Sequence, residues 1–230
     1  MIPRTAPELN PFAIPPTWPD GDYFVPPGCC CWYDMQDAGS VLIDKSGHGI
    51  HGTVTGGCTK GVGPVPGKQA WVRVWDGVNS RVAFALVIAG FDQSYEFWIN
   101  PTLVAEGRLV DTESGRKLIV VPITGRLKYS GPTEQNVPAP SALTAATWQH
   151  VVLCVVGGAT LTMYLNSAKH DGVAVPESTA IGGASSLGCT YSGGSWYWPG
   201  SLGCFRVYDR AITQAEVSAL FAQDRARFGV

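Results

Sequence analysis

The stretch WYWPGSLGCFRVYDRAITQAEVSALF, Trp196 to Phe221, decides the fold. Its first half sets Trp196, Trp198, Leu202, Phe205 and Val207 among polar residues, the period of a strand with one face on a core and the other on solvent. The alternation slips near Gly203, which predicts a β-bulge. After a short turn, Thr213 and Glu216 have the spacing of a capping box, in which each side chain accepts a hydrogen bond from the other residue's backbone N–H. Val217, Leu220 and Phe221 then share one helical face. So short a helix needs a sheet to dock on.

Upstream, from Cys29, the chain consists of short runs separated by Gly, Pro and Asn, as in a sandwich or jelly roll. Strands are expected near 30–36, 51–56, 70–75, 80–88, 94–100, 107–112, 116–122, 126–130, 149–156, 160–166, 171–174, 186–191 and 200–208. Two long, charge-poor loops, 130–147 and 175–185, interrupt them. At 230 residues the chain suits one all-β domain, a class that commonly runs to about 200–250 residues. Charged residues make up 15% of it, against roughly 25% in an average globular protein. With 28 Gly and 8 Trp, that is the composition of a turn-rich β protein. A net charge of −2 with scattered Lys and Arg provides no basic stripe for nucleic acid and no polybasic membrane patch. No apolar run approaches the roughly 18 residues of a membrane span, so no membrane insertion is expected.

Residues 1–28 contain eight of the 17 prolines and no periodic apolar pattern. They are expected to form an extended arm in front of a domain at 29–230. Such an arm can lie across a neighbouring subunit or strap its own domain. The N-terminal sequence lacks the basic and apolar segments of a secretory signal, so either the chain is a processed or recombinant piece or it takes another route outward, such as release within an assembled virus particle.

Seven cysteines, an odd number, fit a fully paired disulfide framework poorly. Cys154 and Cys204 fall within apolar strands and are expected to pack as small hydrophobes. Cys29, Cys30 and Cys31 are adjacent, too close for a usual zinc spacing. Strand alternation would place Cys29 and Cys31 on one face and Cys30 on the other. A disulfide from Cys30 or Cys58 is left open.

Catalytic signatures are scarce. Asp111 and Glu113 have strand-face spacing, but no third acid follows and a solvent face is expected. His48, His51 and Asp44 sit in a glycine-rich turn where backbone geometry accounts for the glycines. His150, in a Trp-x-His-Val strand, is expected to satisfy a neighbouring polar group. No G-x-S-x-G elbow or phosphate-binding glycine loop is present.

Five motifs in sequence order carry a resemblance. DKSGHGIHGTVTG (Asp44–Gly56), WDGVNSRVAF (Trp75–Phe84), YEFWIN (Tyr95–Asn100), WQHVVL (Trp148–Leu153) with LTMYLNS, and the closing segment together resemble laminin-G-like domains of the concanavalin A-like lectin and glucanase superfamily. The resemblance implies an all-β fold: a two-sheet antiparallel jelly-roll sandwich with one short C-terminal helix. It says little about ligand, because the superfamily holds sugar binders, hydrolases and inert modules. Its glucanases usually carry two catalytic carboxylates in E-x-D-x-x-E, which is absent here. Many members bind calcium, an ion that wants six to eight oxygen ligands. In this chain Gly203 and Cys204 replace the acidic pair of the closing strand. Asp44 and Asp76 remain as candidates for a weak calcium site, and no essential ion or other cofactor is expected.

For sugar, the candidates are Trp196, Tyr197 and Trp198 in SGGSWYWPG; the competing expectation sends both Trp residues into the core and leaves Tyr197 at the edge. The leading expectation is a non-catalytic recognition or assembly module, a bacteriophage structural or decoration protein docking on other subunits through residues 1–28. The alternatives are a secreted or surface carbohydrate-binding module and, third, a divergent glycoside hydrolase or lyase. The expected location is the virion surface or the extracellular space.

Overall fold

Both faces of the closing strand are buried, and this departure from simple alternation organises the architecture. The computed structural model describes residues 26–230 apart from 70, 103–104, 114–116, 121–124, 131–133, 137–141, 157–159 and 175–180. Most of the proline-rich segment therefore lies outside the described residues, as does much of the 175–185 loop. Among the described residues, sixteen strands and one helix follow in chain order: β1 Cys29–Tyr33, β2 Val41–Leu42, β3 Gly52–Thr55, β4 Thr59–Val62, β5 Trp71–Asp76, β6 Arg81–Ala85, β7 Gln93–Pro101, β8 Gly107–Thr112, β9 Lys117–Val120, β10 Leu127–Ser130, β11 Glu134–Asn136, β12 Gln149–Val156, β13 Thr160–Leu165, β14 Ala168–Ala174, β15 Ala184–Leu187, β16 Pro199–Tyr208 and α1 Gln214–Phe228.

The strands form two antiparallel sheets. In the first the order is β14-β13-β12-β7-β16-β5-β4, and β1 pairs with the second half of β16 on the edge where β5 pairs with its first half. The second sheet has the order β11-β10-β9-β8-β15-β6-β3-β2. Between them lies an apolar layer containing Tyr33, Phe84, Phe97, Val151 and Phe205, in which Phe97 and Phe205 approach to 5.3 Å between ring centroids. The jelly-roll sandwich expected from the sequence is the fold observed. Strand β15 sits earlier than the expected 186–191 because Gly188, at φ 84°, turns the chain beside the Trp75 indole.

The helix covers the outer face of the first sheet. Thr213 and Glu216 form the capping box, and Val217, Leu220 and Phe228 pack with Trp32, Trp98, Val152 and Tyr208. The register of β16 against β7 shifts between Leu202 and Cys204. A Cβ on Gly203, at this bulge, would collide with the Phe228 ring. The glycine that replaces a family aspartate thus makes the seat for the end of the helix.

Alternation in β7 puts Glu96 under the helix, where it is fully buried. Arg206 Nη1 donates to Glu96 Oε1 at 2.6 Å, and Tyr208 Oη donates to Oε2 at 2.7 Å. His150 Nε2 lies 3.1 Å from Oε1, the polar partner expected for this histidine. Arg206 also binds Asp224 of α1 through both terminal nitrogens at 3.1 Å, and Asp224 takes Arg227 at 3.0 Å. Burial alone would raise the Glu96 carboxyl, but the Arg206 guanidinium and the His150 and Tyr208 contacts override it and hold the group at about 2, from 4.5. A depressed carboxyl stabilises the fold above its unfolded value and loses that contribution as pH falls toward its folded value. The Glu96 contribution, roughly 3 kcal/mol, is therefore expected to be complete above about pH 5.5 and to fade between about 4.5 and 2. Urea midpoints measured from pH 6 to pH 3 should fall steadily, and an unchanged midpoint would contradict this assignment.

All seven cysteines are free and buried, so neither Cys30 nor Cys58 forms a disulfide. Cys154 and Cys204 occupy apolar surroundings under the helix, as expected. The expected alternation at 29–31 fails. A register shift between Cys29 and Cys31 leaves Cys29 under the helix and puts both Cys30 and Cys31 in the inter-sheet core.

Candidate functional site

Strands β3, β6, β15 and β8 of the second sheet pair Thr53 with Ala83, Ala83 with Ser186, and Ser186 with Asp111. This row lies on the outer face, because Val82, Phe84, Val110 and Leu187 on the intervening positions belong to the core. The segment 188–198 crosses that face. Tyr191 N donates to Asp111 Oδ2 at 3.1 Å, Arg81 Nη2 to Tyr191 O at 2.6 Å, Ser186 Oγ to Cys189 O at 2.7 Å, and Arg108 N to Trp196 O at 2.9 Å.

The three aromatic candidates separate here. Trp196 is 48% exposed and has φ 56°, a left-handed conformation that is costly for so bulky a residue and that clusters at ligand-binding sites. The Arg108 guanidinium sits 5.9 Å from its ring centroid, within cation–π range. Tyr197 is half-buried beside it. Trp198 is removed from the candidates: it is 1% exposed, in the inter-sheet core, with its ring 6.1 Å from that of Trp75. Strand alternation predicted a common fate for Trp196 and Trp198, but β16 starts only at Pro199, so residues 191–198 follow loop geometry.

Asp111 is a second correction. It lies fully buried instead of facing solvent, ion-paired with Arg108, and its Oδ1 has no hydrogen-bond partner. Glu113 is exposed and accepts from Ala184 N at 3.1 Å. The two acids therefore have separate structural partners. The pairing of Arg108 with Asp111, three residues apart across a bulge in β8, was invisible to simple alternation; the Arg-x-x-Asp spacing is its only trace in the sequence.

The calcium candidates are engaged as turn acceptors. Asp44 takes Trp32 N, Ser46 N, Ser46 Oγ and Ile50 N at 2.8–3.0 Å. Burial raises its carboxyl, and these donors more than reverse the effect and leave it lowered. Asp76 Oδ1 takes the amides of Val78, Asn79 and Ser80 and the Ser80 hydroxyl, which outweigh desolvation and hold the group at about 2. His51 Nδ1 accepts from Asp44 N at 3.1 Å, and His48 lies 3.2 Å from Ser46 Oγ. Among the described residues, no three His, Cys, Asp or Glu side chains are grouped to hold a metal ion.

Two packed antiparallel sheets, a helix on the outer face of one and an aromatic loop across the other define a lectin-like β-sandwich. Residues 66–218 match the Laminin_G_3 family of the concanavalin A-like lectin/glucanases superfamily, and the chain belongs to that family. No curated protein sequence matches it. Domain 4 of AbnA, an extracellular GH43 arabinanase from Geobacillus stearothermophilus, solved with arabinotriose, is similar in structure with a TM-score of 0.66 and 16% identity, over 84% of this chain and 97% of that one. The binding domain of Paraclostridial Mosquitocidal Protein 1 is similar with a TM-score of 0.67 and 17% identity, over 85% of this chain and 52% of that one. The binding domain of botulinum neurotoxin DC in complex with SialylT gives 0.63 and 12%, over 85% and 51%. The chain thus spans about half the length of those toxin fragments, and at these identities the likeness is one of fold. No helix among the described residues is long and apolar enough to cross a membrane.

Proposed function

We propose that this domain is a non-catalytic glycan-binding module whose ligand stacks on Trp196 beside Tyr197. The observation that carries the reading is the exposed indole at φ 56°, held by Arg108 N on its carbonyl and by the Arg108 guanidinium on its ring. A fixed aromatic face presents its negative quadrupole to sugar C–H groups at little entropic cost. The similar arabinanase domain was solved with arabinotriose and a similar toxin binding domain with SialylT, which favours a sugar over other small ligands. The absence of catalysis is part of the proposal: Asp111 is ion-paired and Glu113 is bound to a backbone amide, so neither is placed to attack or protonate a glycosidic bond. The reading requires no cation.

The test is a glycan array that includes arabinotriose, read with wild type and Trp196→Ala. Losing the platform should weaken binding about tenfold or more, equivalent to about 1.4 kcal/mol. Wild-type silence across the array, or equal binding by the variant, would refute the reading.

The second reading is assembly on a virus particle through the arm at 1–28. The last residues of that arm are tied to the domain: Arg210 Nε donates to Pro27 O at 3.0 Å and Asp209 N to Gly28 O at 2.9 Å, which gives the arm a fixed root. Co-sedimentation with particles should be lost on deleting residues 1–28; undiminished co-sedimentation would exclude this route.

A further inference from the structure

We infer that residues 191–197 form a displaceable cover over a hydrogen-bonding floor, and that the ligand admitted there is a neutral, hydroxyl-rich chain for which Asp111 is the acceptor. The inference rests on the glycan-binding reading and names what that site selects.

The floor is polar and incompletely paired. Asp111 Oδ1, Arg81 Nε and Arg108 Nε are buried without hydrogen-bond partners, and Asp111 is 0% exposed. Burial strips this oxygen of its hydration, and the carboxylate's two partners, Arg108 and Tyr191 N, are both on Oδ2. The Asp111 carboxylate lies between sheet and loop, because its residue pairs with Ser186 on the outer face while its Oδ2 accepts from the loop amide of Tyr191.

The cover is a compact loop. Its residues are exposed or half-buried, and it is flanked by buried Cys189 and Thr190 on one side and buried Trp198 on the other. Internal bonds, Thr190 N to Ser195 O at 3.1 Å and Gly193 N to Thr190 O at 2.8 Å, keep it compact. Gly193 and Gly194 take φ 68° and 142°, and Trp196 takes 56°. Three bonds tie it to the sheet: Tyr191 N to Asp111, Arg81 to Tyr191 O, and Arg108 N to Trp196 O. Releasing its Tyr191 end frees a carboxylate and a guanidinium, while the Arg108 N to Trp196 O bond keeps the indole in place.

A hydroxyl is the group that serves both, since it donates to Asp111 and accepts from Arg81 or Arg108. A carboxylate or sulfate cannot donate, and would bring a like charge to Asp111.

The test reads wild type and Asp111→Asn on one array carrying neutral, sialylated and sulfated glycans, and follows amide hydrogen exchange of the wild type with its tightest array ligand. Neutral glycans should bind, the variant should bind them about tenfold more weakly, and the Tyr191 amide should exchange faster in the complex than in the free protein. Binding of acidic glycans alone, undiminished binding by the variant, or a Tyr191 amide more protected in the complex would overturn the inference. If Trp196→Ala abolishes binding while Asp111→Asn leaves it intact, the inference fails and the glycan-binding reading stands; if the wild type binds nothing, both fall. The exchange measurement uses only wild type, so it decides the matter even if the variant does not fold.

Discussion

Replacing Arg206 by Leu is expected to cost the domain roughly 3–5 kcal/mol, a large part of the roughly 5–15 kcal/mol that holds a typical domain together. Arg206 is the cation that joins β7 to α1: one guanidinium nitrogen serves Glu96, and both terminal nitrogens serve Asp224. Without it, two fully buried carboxylates face each other's field with Arg227 as the remaining nearby guanidinium. Removing one partner of a buried pair is costly because the other charge stays desolvated. A lysine should rescue only in part, since a single ammonium lacks the planar fork that reaches both acids. Equilibrium urea unfolding of wild type, Arg206→Leu and Arg206→Lys checks this, and a loss under about 1 kcal/mol for the Leu variant would mean that the network contributes little.

Phe228→Ala should cost a similar amount, roughly 3–5 kcal/mol, through packing instead of charge. The ring stacks on Trp98 at 4.3 Å with planes 13° apart and lies 5.0 Å from Trp148. It also fills the space above Gly203. Truncation therefore opens a cavity between helix and sheet, lined by rigid aromatic rings that cannot collapse into it. Thermal unfolding should show a marked drop in midpoint, and a midpoint within 1 °C or so of wild type would place the end of the helix outside the cooperative fold.

Both residues show why part of the molecule was legible in sequence and part was not. The capping box at Thr213 and the bulge at Gly203 are local signals, and both occur where their spacing put them. Glu96 within YEFWIN and Arg206 within CFRVY look like solvent-facing positions of half-buried strands. The helix that covers them begins only at Gln214, and the pairing of Glu96 with Arg206 spans 110 residues, so no window on the sequence contains both. The candidate site divides in the same way. Trp196 and Tyr197 could be named from their aromatic run, whereas Arg108, Asp111 and Arg81 come to them only through the order β6-β15-β8 of the second sheet. The period of two assigned Trp196 and Trp198 a common fate, whereas the loop separates them, with Trp198 in the core and Trp196 exposed.

The account turns on where a sugar meets this chain. Amide chemical-shift mapping with the tightest glycan from the array tests it most directly. The predicted result is perturbation concentrated at Arg108, Asp111, Tyr191, Trp196 and Tyr197, with the helix face around Val217 and the strand Cys29–Tyr33 unmoved. Shifts gathered on those distant elements, or none with any glycan, would contradict it.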